Sequence, residues 1–474
     1  MQLPYMLTPR FLALTAAVLT AITVRPAHAQ SAPPVWAARL DGVVRAALTS
    51  SKAPGATVAV VVNGRLAYAQ GYGLANVETQ QRMTPDMLLR VGSVTKMFTG
   101  TMLAELAEQQ RIDMAKPIGE IVPSLKGKRV GAVTTQQLMT HSAGWLDNAV
   151  AYGRMGEGAL GDVMREVSDT LFYTEPGRTF SYSNPSISMA GYVGEVAGKQ
   201  RFATLVESLV MRPTGMRLST FKPLEALTYP IAMGHEADTK GMASGMQIVR
   251  PMPENTAQWA AGFLFATAPE LARYTIALMN GGMIDGAQAF SAGAVRRVTT
   301  GYVAHPGGSG LDSAMYGYGL VVGRSGKDRV WTHGGSINGY NASIRMLPDR
   351  KAAVIVIVNG PGAGIDAIEA AALRLAVGYS APKVSTAAPR EATADERAAL
   401  VGRYAQGRNV LEVLEQDGAL TVKQGSTIMN AKLAGANDLL VIPPQGAARH
   451  IYVRRENGRA AYLYAGSRAY ARQP

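Results

Sequence analysis

Hydrophobic positions divide the chain into stretches of different period. Phe11 to Val24 is an unbroken run of apolar and small residues that follows Arg10 and precedes Ala27-His28-Ala29. A positive start, a short apolar middle and small residues around a cut before Gln30 predict a cleaved secretory signal over 1–29. A retained N-terminal anchor fits the same pattern. Val35 to Leu48 then repeats at helical spacing. Ala56 to Gln70 reads as strand, Asn63-Gly64 turn, strand, because Asn-Gly takes positive φ readily and suits a two-residue hairpin. From Ser93 to about Thr300, helical patterns alternate with loops. Strand signals return at Tyr316 to Val322, Val330 to His333, Asn341 to Leu347 and Ala352 to Val358, and a helical pattern follows from Ile365 to Val377.

Strands at both ends with helices between them predict one α/β sheet domain, residues 30–380, interrupted by a large, mainly helical insertion. Ser380 to Asp395, rich in Ala, Pro, Thr and Ser, predicts a linker over 381–395. Residues 396–474 alternate over short segments broken at Asp417-Gly418, Pro443-Pro444 and Asn457-Gly458, which predicts a small all-β domain.

Composition narrows the chemistry. With 0 cysteines among 474 residues, the chain has no disulfide, no thiolate nucleophile and no thiolate metal site, so its stability comes from buried apolar surface, for which 47% hydrophobic composition suffices. The histidines show no metal-ligand spacing, and no phosphate or dinucleotide loop stands out, so no metal or cofactor is expected. The net charge is +13, to which Arg10 and Arg25 of the leader contribute. The charges are scattered and form no nucleic-acid-binding motif. They predict a solvated basic surface, with attraction to an anionic cell-envelope polymer as the functional alternative. After signal cleavage no segment is apolar enough to span a membrane, and the predicted location is periplasmic or secreted.

Nucleophilic catalysis by serine needs a base within hydrogen-bond reach. Serine three residues before lysine on a helix supplies one, since i and i+3 share a face. Three pairs have this spacing: Ser93 and Lys96, Ser219 and Lys222, Ser380 and Lys383. Pro382 disfavours a helix at the last, and the second lies in a Pro-flanked irregular stretch. Only Ser93 follows a glycine and opens a buried stripe at helical spacing, Val94, Met97, Phe98, Met102, Leu103 and Leu106. Burial would favour loss of the Lys96 proton. The same spacing also describes a serine cap with a surface lysine. Tyr182-Ser183-Asn184 is the one place where any of the 19 tyrosines precedes an asparagine by two. In an extended segment Tyr182 and Asn184 point the same way, Ser183 the other. An ordinary capped loop fits as well. His333-Gly334-Gly335-Ser336 ends a strand signal, and paired glycines there mean close approach to the backbone, by a substrate or by a bulge. His141 and Trp145 fit either a cleft entrance or a packed loop.

Together, in this order, these three elements resemble the penicillin-recognising serine hydrolases: class C-type β-lactamases, D-Ala-D-Ala carboxypeptidases, D-aminopeptidases and related esterases. Pro54-Gly55-Ala56, Gly71-Tyr72-Gly73, Leu138 to Gly144 and Ala261-Gly262-Phe263 extend the likeness over roughly residues 37 to 378. The resemblance implies an antiparallel sheet flanked by helices with a large helical insertion. It makes Ser93 the nucleophile of an acyl-enzyme, with Lys96 and Tyr182 sharing its proton. Asn184 would orient Lys96 and contact substrate, and His333, Gly334, Gly335 and Ser336 would line the substrate edge, the N–H groups of Ser93 and Ser336 forming an oxyanion hole. Where many β-lactamases have Lys-Thr-Gly this chain has His333-Gly334-Gly335, which lacks both the lysine charge and the threonine hydroxyl. The triplet is more similar to the aminopeptidase and esterase branches, and Gly402-Arg403-Tyr404 resembles the start of the small β-barrel attached to some of them. The expected substrate is therefore a small peptide or ester, D-amino-acid amides foremost. A β-lactamase or D,D-carboxypeptidase is the alternative, and a non-catalytic penicillin-binding-like envelope protein a third reading.

Overall fold

The computed structural model describes residues 33–239, 241, 245–307, 310–382 and 388–474, so the predicted signal over 1–29 lies outside the described residues. Helix α1 (Ala37–Ser51) leads into strands β1 (Gly55–Val62) and β2 (Arg65–Asn76). Asn63 and Gly64 join them at φ +52° and +71°, the left-handed pair that a tight right-twisted hairpin needs. The chain then leaves the sheet for a mainly helical layer containing α2 (Thr95–Glu108), α3 (Asn184–Gly198) and α4 (Ala268–Met279). It returns through β3 (Ser313–Tyr316), β4 (Val321–Ser325), β5 (Asp328–Ile337), β6 (Tyr340–Leu347) and β7 (Ala352–Val358), and closes with α5 (Ile365–Val377).

Every pairing in this sheet is antiparallel, in the spatial order β3-β4-β5-β6-β7-β1-β2 with a two-residue strand at each edge, 9 strands among the described residues. β1 and β7 are central and buried on both faces, which is why each reads as a continuous apolar run. Ala59, Val61, Ile355 and Ile357 face the helical layer, where α4 packs on them. Val58, Val60, Val354 and Val356 face α1 and α5. The single strand expected over Tyr316 to Val322 is instead the end of β3, a turn and the start of β4. Apolar residues alternate with glycine there and imitate a strand, but Gly319 sits at φ +76° with its Cα so close to α2 that a Cβ would lie 2.1 Å from the Lys96 carbonyl oxygen.

Residues 383–387 of the expected linker lie outside the described residues, and its last part already belongs to the second module: Arg390 bridges to Leu433 and a short helix, α6 (Ala394–Leu400), starts at a Thr393–Glu396 capping box. Eight antiparallel strands then close a barrel: β8 (Gly402–Gln406), β9 (Asn409–Gln416), β10 (Ala419–Gln424), β11 (Thr427–Gly435), β12 (Asp438–Ile442), β13 (Arg449–Glu456), β14 (Arg459–Ala465) and β15 (Arg468–Arg472). Closure leaves no edge strand to pair with another chain. The barrel docks on the segment leading into α3. Tyr462, Tyr464 and Ala469 pack with Phe180 and Tyr316, and the Thr174 and Tyr462 hydroxyls bond at 2.8 Å. Among the described residues no helix is long and apolar enough to cross a membrane.

Candidate active site

Ser93 lies in a tight turn, Gly92–Val94, that runs directly into α2. Gly92 has φ +52°, and a Cβ on it would lie 2.5 Å from the Ser336 nitrogen. Across the gap, a Cβ on Gly335 would lie 1.9 Å from the Val91 carbonyl oxygen and 3.1 Å from the Ser93 nitrogen. Both glycines are required by one close approach, that of β5 to the serine turn. The backbone nitrogens of Ser93 and Ser336 are thereby brought to the same edge.

Lys96, one turn into α2, is fully buried. Its Nζ lies 3.0 Å from Ser93 Oγ, 2.7 Å from Asn184 Oδ1 and 2.6 Å from the Ala261 carbonyl oxygen. Burial pulls its pKa from 10.5 down to about 7, Asp147 opposing and Arg468 reinforcing the shift. As an ammonium Lys96 donates to all three oxygens; as a neutral amine it donates to the two carbonyl-type oxygens and turns its lone pair to the serine hydroxyl. The Tyr182 ring lies 4.7 Å from Nζ, and its phenol, held protonated chiefly by burial, is turned toward Ser93.

Asn184 is the first residue of α3, which Ser183 caps by accepting from the Ser186 N–H at 3.4 Å; Ser183 Oγ also donates to the Leu146 carbonyl. Ser183 thus points away from Asn184 and Tyr182, as the extended spacing requires. His141, at φ +54°, accepts the Ser183 N–H on Nδ1 at 3.1 Å and stacks 4.2 Å from the Tyr182 ring. Burial drives its pKa well below the usual range, and Trp145 is buried too, so both pack the loop behind the site. His333 turns to the Tyr316 hydroxyl, 2.9 Å from Nε2, and burial lowers its pKa to about 3. The residue at the position of the family's triplet lysine therefore carries no charge near neutrality. Gly334 is exposed, and a small cavity is lined by Tyr182, His333, Gly334 and Ser467.

Ser219 and Lys222 do not form a second pair: the Ser219 hydroxyl donates to Glu270 at 2.6 Å, while Lys222 pairs with Glu157 at 2.9 Å. Lys383 lies outside the described residues. Two residues of the site gave no signal in the sequence, Asp147 and Arg468. Asp147 accepts from both the backbone N–H and the Nδ2 of Asn184 at 3.1 Å, and pairs with Arg468 at the start of β15, whose Nε lies 2.9 Å away.

An antiparallel sheet and a helical layer that meet at a serine hydroxyl and a buried lysine amine define the fold of the penicillin-recognising serine hydrolases. The Beta-lactamase family model matches residues 40–378, and the chain belongs to that family. Protein flp of Staphylococcus aureus (strain MW2) is 25% identical over 203 residues, 42% of this chain. The matched stretch spans only 41% of the length of that protein. A beta-lactamase of Pseudomonas fluorescens is 24% identical over 347 residues, 68% of this chain and 92% of its own. Among solved structures, SurE superposes with a TM-score of 0.72 at 26% identity, covering 92% of this chain and 99% of SurE, barrel included; SurE has also been solved with D-Leu.

Proposed function

We propose that this serine hydrolase is exported and cleaves a small amide or ester, of the D-amino-acid type, through an acyl-Ser93 intermediate. One observation carries the reading: the Ser93 hydroxyl meets a buried Lys96 amine at 3.0 Å, whose pKa burial has brought down to about 7, so that the neutral base is present near neutrality. As Ser93 attacks, Lys96 takes its proton; Tyr182 gives its own to the leaving group and regains one from Lys96, so both return to their starting states. Those two groups titrate as a pair. Asn184 fixes the amine, and the Ser93 and Ser336 N–H groups face the oxyanion.

The uncharged edge argues against a substrate that is held by its carboxylate. His333 is neutral, and Gly334 offers no hydroxyl. The D-Leu complex of SurE lends support to a D-aminoacyl group. The Pseudomonas fluorescens relative favours a β-lactamase as the second reading. Export, to the periplasm or beyond, rests on the leader pattern of residues 1–29, and the basic surface fits an anionic envelope polymer as a neighbour.

Intact-mass detection of acyl adducts across a p-nitrophenyl ester, a D-aminoacyl anilide, a D-Ala-D-Ala peptide and nitrocefin tests this. Adducts from the first two, absent in Ser93→Ala, are expected. Dominant turnover of nitrocefin would reverse the order of the two readings, and adducts that persist in Ser93→Ala would end both.

A further inference from the structure

The barrel does not merely sit beside the sheet domain. Its last hairpin, the turn between β14 and β15, enters the wall of the site. The Ser467 carbonyl accepts the Tyr182 N–H at 2.9 Å, and the Ser181 hydroxyl accepts both the Ala469 N–H at 3.1 Å and the Gln406 side chain at 3.0 Å. The Arg468 guanidinium lies 5.5 Å from the Tyr182 ring centre and holds Asp147 with two of its nitrogens. Asp147 is only 6% exposed, and its carboxylate in turn receives the Asn184 amide, whose oxygen is on Lys96.

We propose that Arg468 is a positioning residue of the active site, acting from the barrel through Asp147 to hold the Asn184 amide on Lys96. The proposal rests on Ser93 being the nucleophile and Lys96 its base. Unpaired, the nearly buried carboxylate would be costly, and its charge would fall on the amine. The groups around Lys96 are His141 and Asp147 from the loop before α3, Tyr182 and Asn184, His333 from β5, and Arg468. Burial keeps both histidines and the phenol uncharged near neutrality, so Asp147 and Arg468 are the charges that set the balance at Lys96. Removing the guanidinium leaves the carboxylate to favour the ammonium form. Removing the carboxylate does the opposite.

The test is the second-order rate of labelling by a fluorophosphonate, measured against pH on the full chain. The wild-type rate should rise through a limb near pH 7. Arg468→Ala should move that limb up, and Asp147→Asn down, each by on the order of one pH unit, the scale on which a nearby charge of either sign shifts a pKa. The double variant should return close to wild type. Arg468→Lys, which keeps the charge but not the fork, should hold the limb while slowing the rate. Structural damage alone would not move two limbs in opposite directions. An unmoved limb in Arg468→Ala, or shifts of the same sign, overturns the proposal while leaving Ser93 intact. Undiminished labelling of Ser93→Ala would overturn the underlying reading instead.

Discussion

The charge of Lys96 is readable without any substrate. An unfolded chain holds the Lys96 proton up to about pH 10.5, whereas the buried amine releases it near 7. Between these values the unfolded state binds a proton that the folded state does not, so stability rises with pH at about 1.4 kcal/mol per unit. The full penalty, about 5 kcal/mol, is present below the folded value and is gone above 10.5. Lys96→Met carries no such penalty. It also deprives Asn184 and Ala261 of a donor, which offsets the variant's stability by an amount that does not depend on pH. The stability of wild type relative to Lys96→Met should therefore climb by about 2 kcal/mol between pH 7 and pH 9, whatever its starting value.

Urea unfolding followed by tryptophan fluorescence measures this in the right place, because Trp36, Trp145, Trp259 and Trp331 all precede the barrel. Titrations shared by the two proteins cancel in the difference. A difference that stays flat from pH 7 to 9 would mean that Lys96 remains an ammonium in the fold. An ammonium has no lone pair for the Ser93 proton, and the mechanism would fail with it.

Further outcomes follow from single contacts. Tyr182→Phe keeps the ring between His141 and Lys96 but removes the hydroxyl at Ser93, so kcat should drop by about 10²–10⁴ with an unchanged melting temperature. Gly335→Ala forces β5 off the serine turn, where its Cβ would meet the Val91 carbonyl, and should slow acylation by about 100-fold in stopped-flow assays while the sheet still folds. Glu254→Gln leaves the buried Arg90 guanidinium without its counter-charge and should cost about 3–5 kcal/mol in the same urea titration, since Arg90 is 0% and Glu254 9% exposed at the side chain.

Sequence spacing reveals chemistry where the partners lie within one element and hides it where the fold supplies the second partner. Ser93 and Lys96 are three residues apart, and the apolar stripe after them already implied a buried helix, so the pair could be told from Ser219 and Lys222 before any coordinates. Tyr182 and Asn184 were legible for the same reason, their relative direction being fixed by an extended segment that ends in a capped helix. β1 and β7 announced themselves by unbroken apolar runs that only a strand buried on both faces needs. Tyr316 to Val322 misled because glycine counts as neutral in an alternation pattern, while here Gly319 bends the chain to let the turn rest on α2. Asp147 and Arg468 stand 321 positions apart, on a loop and on a barrel hairpin, and neither belongs to a periodic stretch. One charged residue in a loop looks like any solvated one. What separates Arg468 from the other arginines is that its partner carboxylate is 6% exposed and already carries the amide that orients the lysine, a condition met only once the barrel has docked.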